Sequence, residues 1–399
     1  MANKPLFHDL VIGGSLRIAL AGLHQFDSDV QDTLRIIPKP FDAPRQMADE
    51  HVVAVFEQLG ALHHLERLEL VGTSGPKQKV LVVPAKALTL ALQRSRFLKD
   101  LLIVGVRVSG STSDVARLAN AVLNHSSLNR MFITDLHSTP GSATLAPFLH
   151  AASSNPRVET LAVRHTNWAG QSLYPLNYKA CRLKSLRLRG DLCLQAFEWL
   201  HFLESLQLTS TLTELRISDC VTSAGVGSAV ARLLVAHQSL EDVVLEVATL
   251  ADTLPICWSL GSNHTLKRLE LLAYHRESSS TEAAVISLFA DVIGRNFTLM
   301  HFLLRTPASA LTCPRLDFFL RLNRCVKRAL LEQPVKSPRT ADWVDALASN
   351  TSDVSIMYYI LQLNPSLCQL NPSDFKSMPK QKRKPTIHAQ TRHKRMKVG

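Results

Sequence analysis

Cysteine is scarce and scattered: seven thiols in 399 residues, none in a Cys-x-x-Cys pair or a tight cluster. That excludes a disulfide-stapled secreted scaffold and the familiar cysteine-rich zinc modules, and it points to free thiols in a reducing compartment. Long apolar runs are missing too. No segment reaches the roughly 18 apolar residues of a membrane span. The apolar start at 10–23 is broken by Arg17 and flanked by Asp9, which makes a poor signal peptide. The expectation is a soluble intracellular protein, nuclear or cytoplasmic, with no membrane partner. What remains is ordinary: 46% hydrophobic and 20% charged residues exclude a disordered solvating chain and a collagen-like fibre, and the length suits one or two domains.

The formal charge of +12 is unevenly placed. Between residues 376 and 399 stand nine basic residues and no acidic one, which leaves the preceding 375 residues at only +3. The segment 371–399 also lacks an apolar period, so it has too little to bury to offset ordering entropy, and a disordered basic tail is expected. Two basic clusters, Lys380, Lys382, Arg383, Lys384 and then Arg392, Lys394, Arg395, Lys397, are separated by a short spacer. The arrangement resembles a bipartite nuclear localisation signal, in which extended cations reach acidic grooves of an import receptor. A solubilising tail or a direct nucleic-acid contact are the other readings of the same residues.

The body of the chain repeats. An apolar residue followed at +3 and +5 by two more recurs as Leu65, Leu68, Leu70; Leu98, Leu101, Ile103; Leu128, Met131, Ile133; Val158, Leu161, Val163; and Leu183, Leu186, Leu188. It continues as Leu212, Leu215, Ile217; Leu240, Val243, Leu245; Leu266, Leu269, Leu271; and Leu299, Phe302, Leu304. The mean step is about 29 residues, at the long end of leucine-rich repeats. Between copies, 52–62, 85–93, 115–123, 226–236 and 283–293 carry apolar residues three or four apart, the spacing of a helix. Short polar links such as 124–127, 237–239, 263–265 and 296–298 end these helices, where Asn or a small polar residue suits a local turn. Leu203, Leu206 and Leu208 also fit the triplet, but they precede Leu212 by too little chain for a strand and a returning helix. The spacing therefore predicts a helix over 197–208.

One copy is fullest: Leu212-Thr-Glu-Leu-Arg-Ile-Ser-Asp-Cys220, then Gly225 and the helix to Leu240. It resembles the ribonuclease-inhibitor-like class of leucine-rich repeat, in which Asn or Cys stands where Cys220 does. The resemblance implies an α/β solenoid, a horseshoe with a curved parallel sheet on its concave face and helices on its convex face. Only Cys220 keeps the Asn/Cys position. Thr73, Val106, Leu136, Thr166, Asp191, Ala248, Tyr274 and Pro307 replace it elsewhere, so other groups must satisfy those turns. The expected layout is an N-terminal cap over 1–50, about nine repeats over 51–310, a helical cap over 311–370 with helices at 316–331 and 353–363, and the tail.

If the triplet residues face the core, the residues between them face outward, because side chains alternate along a strand. Over the central repeats these outward positions hold Arg130, Phe132, Arg164, Arg187, Arg189 and Arg216 against Glu214. The planar arginine fork pairs bidentately with carboxylates and stays charged when partly desolvated. The face is therefore a candidate contact for an acidic protein partner, and the expected function is a non-catalytic interaction scaffold. The rivals are a nucleic-acid-associated protein using the tail, and the recognition subunit of a ubiquitin ligase complex.

Other signals are set aside. Gly72 to Lys77 lacks phosphate-loop spacing, and Gly225-Val-Gly227 lacks the third glycine of a dinucleotide fingerprint. Formal glycosylation sequons at Asn124, Asn263 and Asn296 fall in the inter-repeat link, and a fourth lies at Asn350. His63-His64 has no partner at metal spacing. There is no Gly-x-Ser-x-Gly elbow or His-Glu-x-x-His helix, and neither enzyme nor cofactor is expected.

Overall fold

A computed structural model describes residues 8–12, 32–38, 49–60, 62–72, 81–164, 182–190, 196–207, 209–218, 225–275, 277–307, 310–326, 346–348 and 350–363. Cys220, most of the loop after Gly72 and every proposed import residue from Lys380 to Lys397 lie outside them. The chain divides into two units, Met1–Ala329 and Leu330–Gly399.

In the first unit strands and helices alternate. It begins β1 (His8–Ile12), β2 (Thr33–Pro38), α1 (Asp49–Leu59), β3 (Arg67–Val71), β4 (Leu81–Pro84), α2 (Ala85–Arg94), β5 (Asp100–Val104), β6 (Val106–Ser109) and α3 (Thr112–Leu123). It continues through β7 (Arg130–Thr134), β8 (His137–Ser138), α4 (Ala146–Ser154), β9 (Thr160–Arg164), β10 (Ser185–Arg189), α5 (Ala196–Leu206), β11 (Glu214–Ser218) and α6 (Val226–Ala236). It ends β12 (Asp242–Val247), α7 (Thr253–Ser259), β13 (Arg268–Ala273), α8 (Ser279–Ile293), β14 (His301–Arg305), β15 (Ala310–Leu311) and α9 (Pro314–Val326). All nine triplets deliver a strand. The helix expected over 197–208 is α5, and the strand that its leucines mimic does not form.

Twelve strands make one sheet in the order β1-β2-β3-β5-β7-β9-β10-β11-β12-β13-β14-β15. Every pairing is parallel except the last, β14 with β15. The register places equivalent triplet positions side by side: Leu68 beside Leu101, Leu101 beside Met131, Leu186 beside Leu215. These side chains are buried and join the inner faces of the helices in one core, so each leucine contributes about 1.5–3 kcal/mol by leaving water. The architecture is compatible with a solenoid. The N-terminal segment expected as a cap supplies two more strands of the same sheet, with Leu10, Leu34 and Ile36 buried. Phe7, Leu10 and Ile12 fit the triplet spacing, whereas β2 escapes it because Gln31 occupies the first position.

At two of the positions that lack Asn or Cys, apolar side chains stand instead. Val106 and Leu136 are buried apolar residues there, and β4, β6 and β8 form a second, three-stranded parallel sheet that pairs the backbone beside them. The turns entering this sheet stack tightly. Gly72 N–H donates to Val104 O at 2.7 Å and Gly105 N–H to Thr134 O at 2.9 Å. A Cβ on Gly72 would lie 2.0 Å from the Gly105 carbonyl oxygen, and Gly105 itself sits at φ +62°. The Gly225-Val-Gly227 pair is also structural. Gly225 starts α6 at φ +91°, and a Cβ on Gly227 would meet the Asp252 carbonyl at 1.8 Å.

Helix α9 packs on α8 and adds Leu316 and Leu320 to the core. In the second unit, α10 (Val354–Leu363) buries Ile356 and Ile360. No described helix is long and apolar enough to cross a membrane.

Candidate functional site

Two walls of the first unit carry polar side chains in regular rows, and they do different work. On the first, the corners where helices return to strands, a polar residue stands three residues before seven of the nine triplets. These residues are Ser95, His125, Asn155, Thr209, His237, Asn263 and Asn296, all at least nine-tenths buried. Each asparagine clasps the turn before it and its own corner at once. Asn296 Nδ2 donates to the carbonyls of Leu260 (2.7 Å) and Asn263 (2.9 Å), while its Oδ1 accepts from the N–H groups of Thr298 (3.0 Å) and Leu299 (2.8 Å). Asn263 repeats this on Leu234, Thr265 and Leu266, and Asn155 on Val122, His125 and Arg157. Asn323 of α9 continues the series by donating to Asn296 O and Leu299 O. At His125 the ring nitrogen Nδ1 stands in for the amide oxygen, accepting from Leu128 N–H at 3.1 Å. Burial pulls the pKa of both His125 and His237 below the ordinary value.

This wall is structural. Asn263 and Asn296 spend their amides on backbone, which agrees with reading their sequons as part of the repeat. Asn124 differs from them: it is the exposed C-cap of α3, one residue before the row.

The second wall is the face of the sheet turned away from the helices. All six candidate residues lie on it, on the adjoining strands β7, β9, β10 and β11, and the register brings them together. Phe132, Ala162, Arg187 and Arg216 follow one another in the middle row, and Arg164 lies beside Arg189 in the outer row. Arg130, Arg164, Arg187 and Arg189 are exposed, and Phe132 and Arg216 are half-buried.

The arginines do not stand alone. Arg130 Nε donates to Asp100 Oδ1 at 2.7 Å and its Nη2 reaches Oδ2 at 2.5 Å, a bidentate pairing that raises the guanidinium pKa. Arg187 Nη2 donates to Glu214 Oε2 at 2.9 Å, and Arg216 Nη2 donates to Asp242 Oδ2 at 2.7 Å. Burial pushes the Glu214 carboxyl up, but hydrogen bonds from Arg187 and Ser185 outweigh it and hold the pKa below the usual carboxylate range. The chain of alternating charge runs on through Arg268, Glu270 and His301 in one direction and Arg67, Glu69 and Arg35 in the other. Such half-exposed pairs are each worth about 0–1 kcal/mol. Their effect is therefore less to hold the fold than to fix which way each side chain points.

The alternation along the strands marks the six outward residues and Glu214 but not these partnerships, since Asp100 and Asp242 belong to repeats flanking the arginine cluster. The signal was available: identical positions in consecutive triplets become neighbours on the sheet. Among the described residues no group of three His, Cys, Asp or Glu side chains gathers at metal-binding distance.

No protein-family model matches the chain, and no curated protein matches it. Among solved structures, actin-binding site 2 of leiomodin-1 aligns with 34% of this chain and 78% of its own, at 22% identity and a TM-score of 0.30. A likeness of that size carries no argument about fold or partner.

Proposed function

We propose that the protein is a non-catalytic interaction scaffold of the leucine-rich-repeat type, in which the sheet lines the concave side of a horseshoe and the helices its convex side. It captures an acidic protein partner through Arg130, Phe132, Arg164, Arg187, Arg189 and Arg216. The observation that supports this reading most is the ordered row structure of the outward face. Side chains already oriented by cross-strand ion pairs lose little conformational freedom on binding, so more of the contact energy is retained as affinity. In the cell the basic tail, Lys380 to Lys397, directs import into the nucleus.

The test is charge reversal. Arg187→Glu with Arg189→Glu should leave the circular dichroism spectrum of the chain unchanged and remove its principal neighbours in proximity labelling. An unchanged set of neighbours would take this face out of the function.

A further inference from the structure

The corner wall closes differently where a histidine takes the place of the asparagine, and the His125 and His237 corners are not alike. At three asparagine corners the amide reaches the carbonyl three residues before the preceding corner residue. Asn155 reaches Val122 O at 2.6 Å, and Asn263 and Asn296 reach Leu234 O and Leu260 O, each at 2.7 Å. At His237 a hydroxyl completes the same link. Thr209 Oγ1 donates to Leu206 O at 2.7 Å, and His237 Nε2 meets that hydroxyl at 3.2 Å.

At His125 the link is broken. Its Nδ1 accepts from the N–H groups of Leu128 at 3.1 Å and Ser127 at 3.4 Å, so the neutral ring carries its proton on Nε2. That nitrogen faces the Ser95 carbonyl but does not reach hydrogen-bond geometry. Ser95 stands where Thr209 does in the other pair, yet its Oγ has no partner among the described residues. Nor, among those residues, does a donor reach the corresponding carbonyl, Leu92 O. A void of about 400 Å³ opens at this corner, with Leu92, Ser95 and His125 in its walls and Arg96, Asn124 and Ser126 at its exposed rim. Ser95 is 2% and His125 6% exposed. The volume lies in the range of small-ligand pockets, about 300–1,000 Å³. Buried polar groups without partners are costly, and a ligand that supplies the partners recovers that cost.

We propose that this void binds a primary carboxamide, the group that the chain itself places at the asparagine corners. The amide N–H donates to Leu92 O, and the amide oxygen accepts from Ser95 Oγ–H and His125 Nε2–H. The site is separate from the outward face of the sheet and does not rest on the role of that face. A carboxylate fits less well, because it brings no proton for Leu92 O and meets the negative C-terminal ends of α2 and α3. An ammonium also fits less well: it offers no acceptor to Ser95 or His125, no acidic side chain lines the void, and the Arg96 guanidinium stands at the rim. Two sources present a primary carboxamide, the side chain of Asn or Gln in another protein and a free amide.

The experiment uses the full chain and ligand-observed fluorine NMR of para-fluorobenzamide. The reference probes are para-fluorobenzoate and para-fluoroacetophenone, which keeps the acceptor and lacks the donor. The benzamide should bind, and each reference should bind at least about tenfold more weakly. Ser95→Ala should weaken the benzamide about tenfold with little change in thermal unfolding, because Oγ makes no bond within the protein. His125→Asn should abolish binding with no loss of thermal stability at neutral pH, because the new amide itself reaches Leu92 O and Ser95 O. Displacement of the probe by an acetylated Gly-Gln-Gly N-methylamide, and not by its Glu counterpart, assigns the site to a protein side chain. A bound benzamide that the glutamine peptide does not displace assigns it to a free amide. The inference is overturned if no probe binds, which leaves the void to water, or if the benzoate binds as tightly as the benzamide. It is equally overturned if both variants bind the benzamide as the unaltered chain does.

Discussion

Asn263 and Asn296 show why a buried amide can matter more than an exposed ion pair. Each is almost fully buried and satisfies groups on two successive turns, so removing the side chain takes a hydrogen-bond partner from two N–H groups and from one carbonyl at Asn263 or two at Asn296, in a place water reaches poorly. An unsatisfied buried polar group costs about 1–3 kcal/mol. Asn263→Ala and Asn296→Ala should therefore each lower the thermal unfolding midpoint by several degrees, whereas Asn124→Ala, at an exposed helix cap with one amide bond to Asn120 O, should shift it by little. A calorimetric comparison of the three variants checks this, and equal effects would mean that the corner row does not carry the load assigned to it. In the sequence these asparagines were visible as polar links, and the bridging role of the amide was not, because the carbonyls that Nδ2 reaches lie 29 to 36 residues away.

At the scale of the corner between helix and strand, another acceptor can take the place of the asparagine oxygen where it faces the N–H groups of its own corner, as His125 Nδ1 does for Leu128. His125 meets that need only in its neutral form with Nδ1 unprotonated, since a proton there would turn the acceptor into a donor aimed at Leu128 N–H. Burial lowers the pKa of His125 and of His237 from about 6.5. As pH falls through that value the unfolded chain takes up protons that the folded chain refuses, so stability falls with falling pH and does so before the carboxylates titrate. The unfolding midpoint should be lower at pH 5 than at pH 7.5, and the difference should shrink in His125→Asn with His237→Asn, which install the residue found at other corners. A pH dependence identical to that of the unaltered chain would show that these two rings do not govern it. The strands were legible because all nine triplets spell the period of two, and most of the helices because their apolar residues stand three or four apart; α6 begins and ends at the residues that the pattern marks, whereas α4 and the short α7 were not marked. Less legible were β2, where a polar residue takes the first triplet position, and the second sheet, whose short strands have no period long enough to read. The outward residues could be named from alternation alone. Their pairing needed the register, a property of neighbouring repeats rather than of any one.

For the whole first unit, stability is expected to be close to a sum of turns and of contacts between adjacent turns. Length should then be adjustable only in whole turns. Deletion of residues 125–154 removes β7, β8 and α4 and joins the C-cap Asn124 to Asn155, so that one corner residue replaces another in phase. The shortened chain should fold and melt cooperatively at a lower midpoint, while deletion of 125–139, which breaks phase between helix and strand, should leave a protein without a cooperative transition. Circular dichroism melts of the two separate the outcomes, and similar behaviour would argue against turn-by-turn additivity.

The reversed strand β15 bears on crowding as much as on shape. A row of parallel strands ending in an open edge invites a second molecule to add its own strand and continue the series. Here the end of the last full strand, β14, is instead met by two residues running the opposite way, Leu311 beside Leu304 and Ala310 beside Arg305, which interrupts the parallel series there. At that edge, a dipeptide shortens the ladder left open to a neighbour.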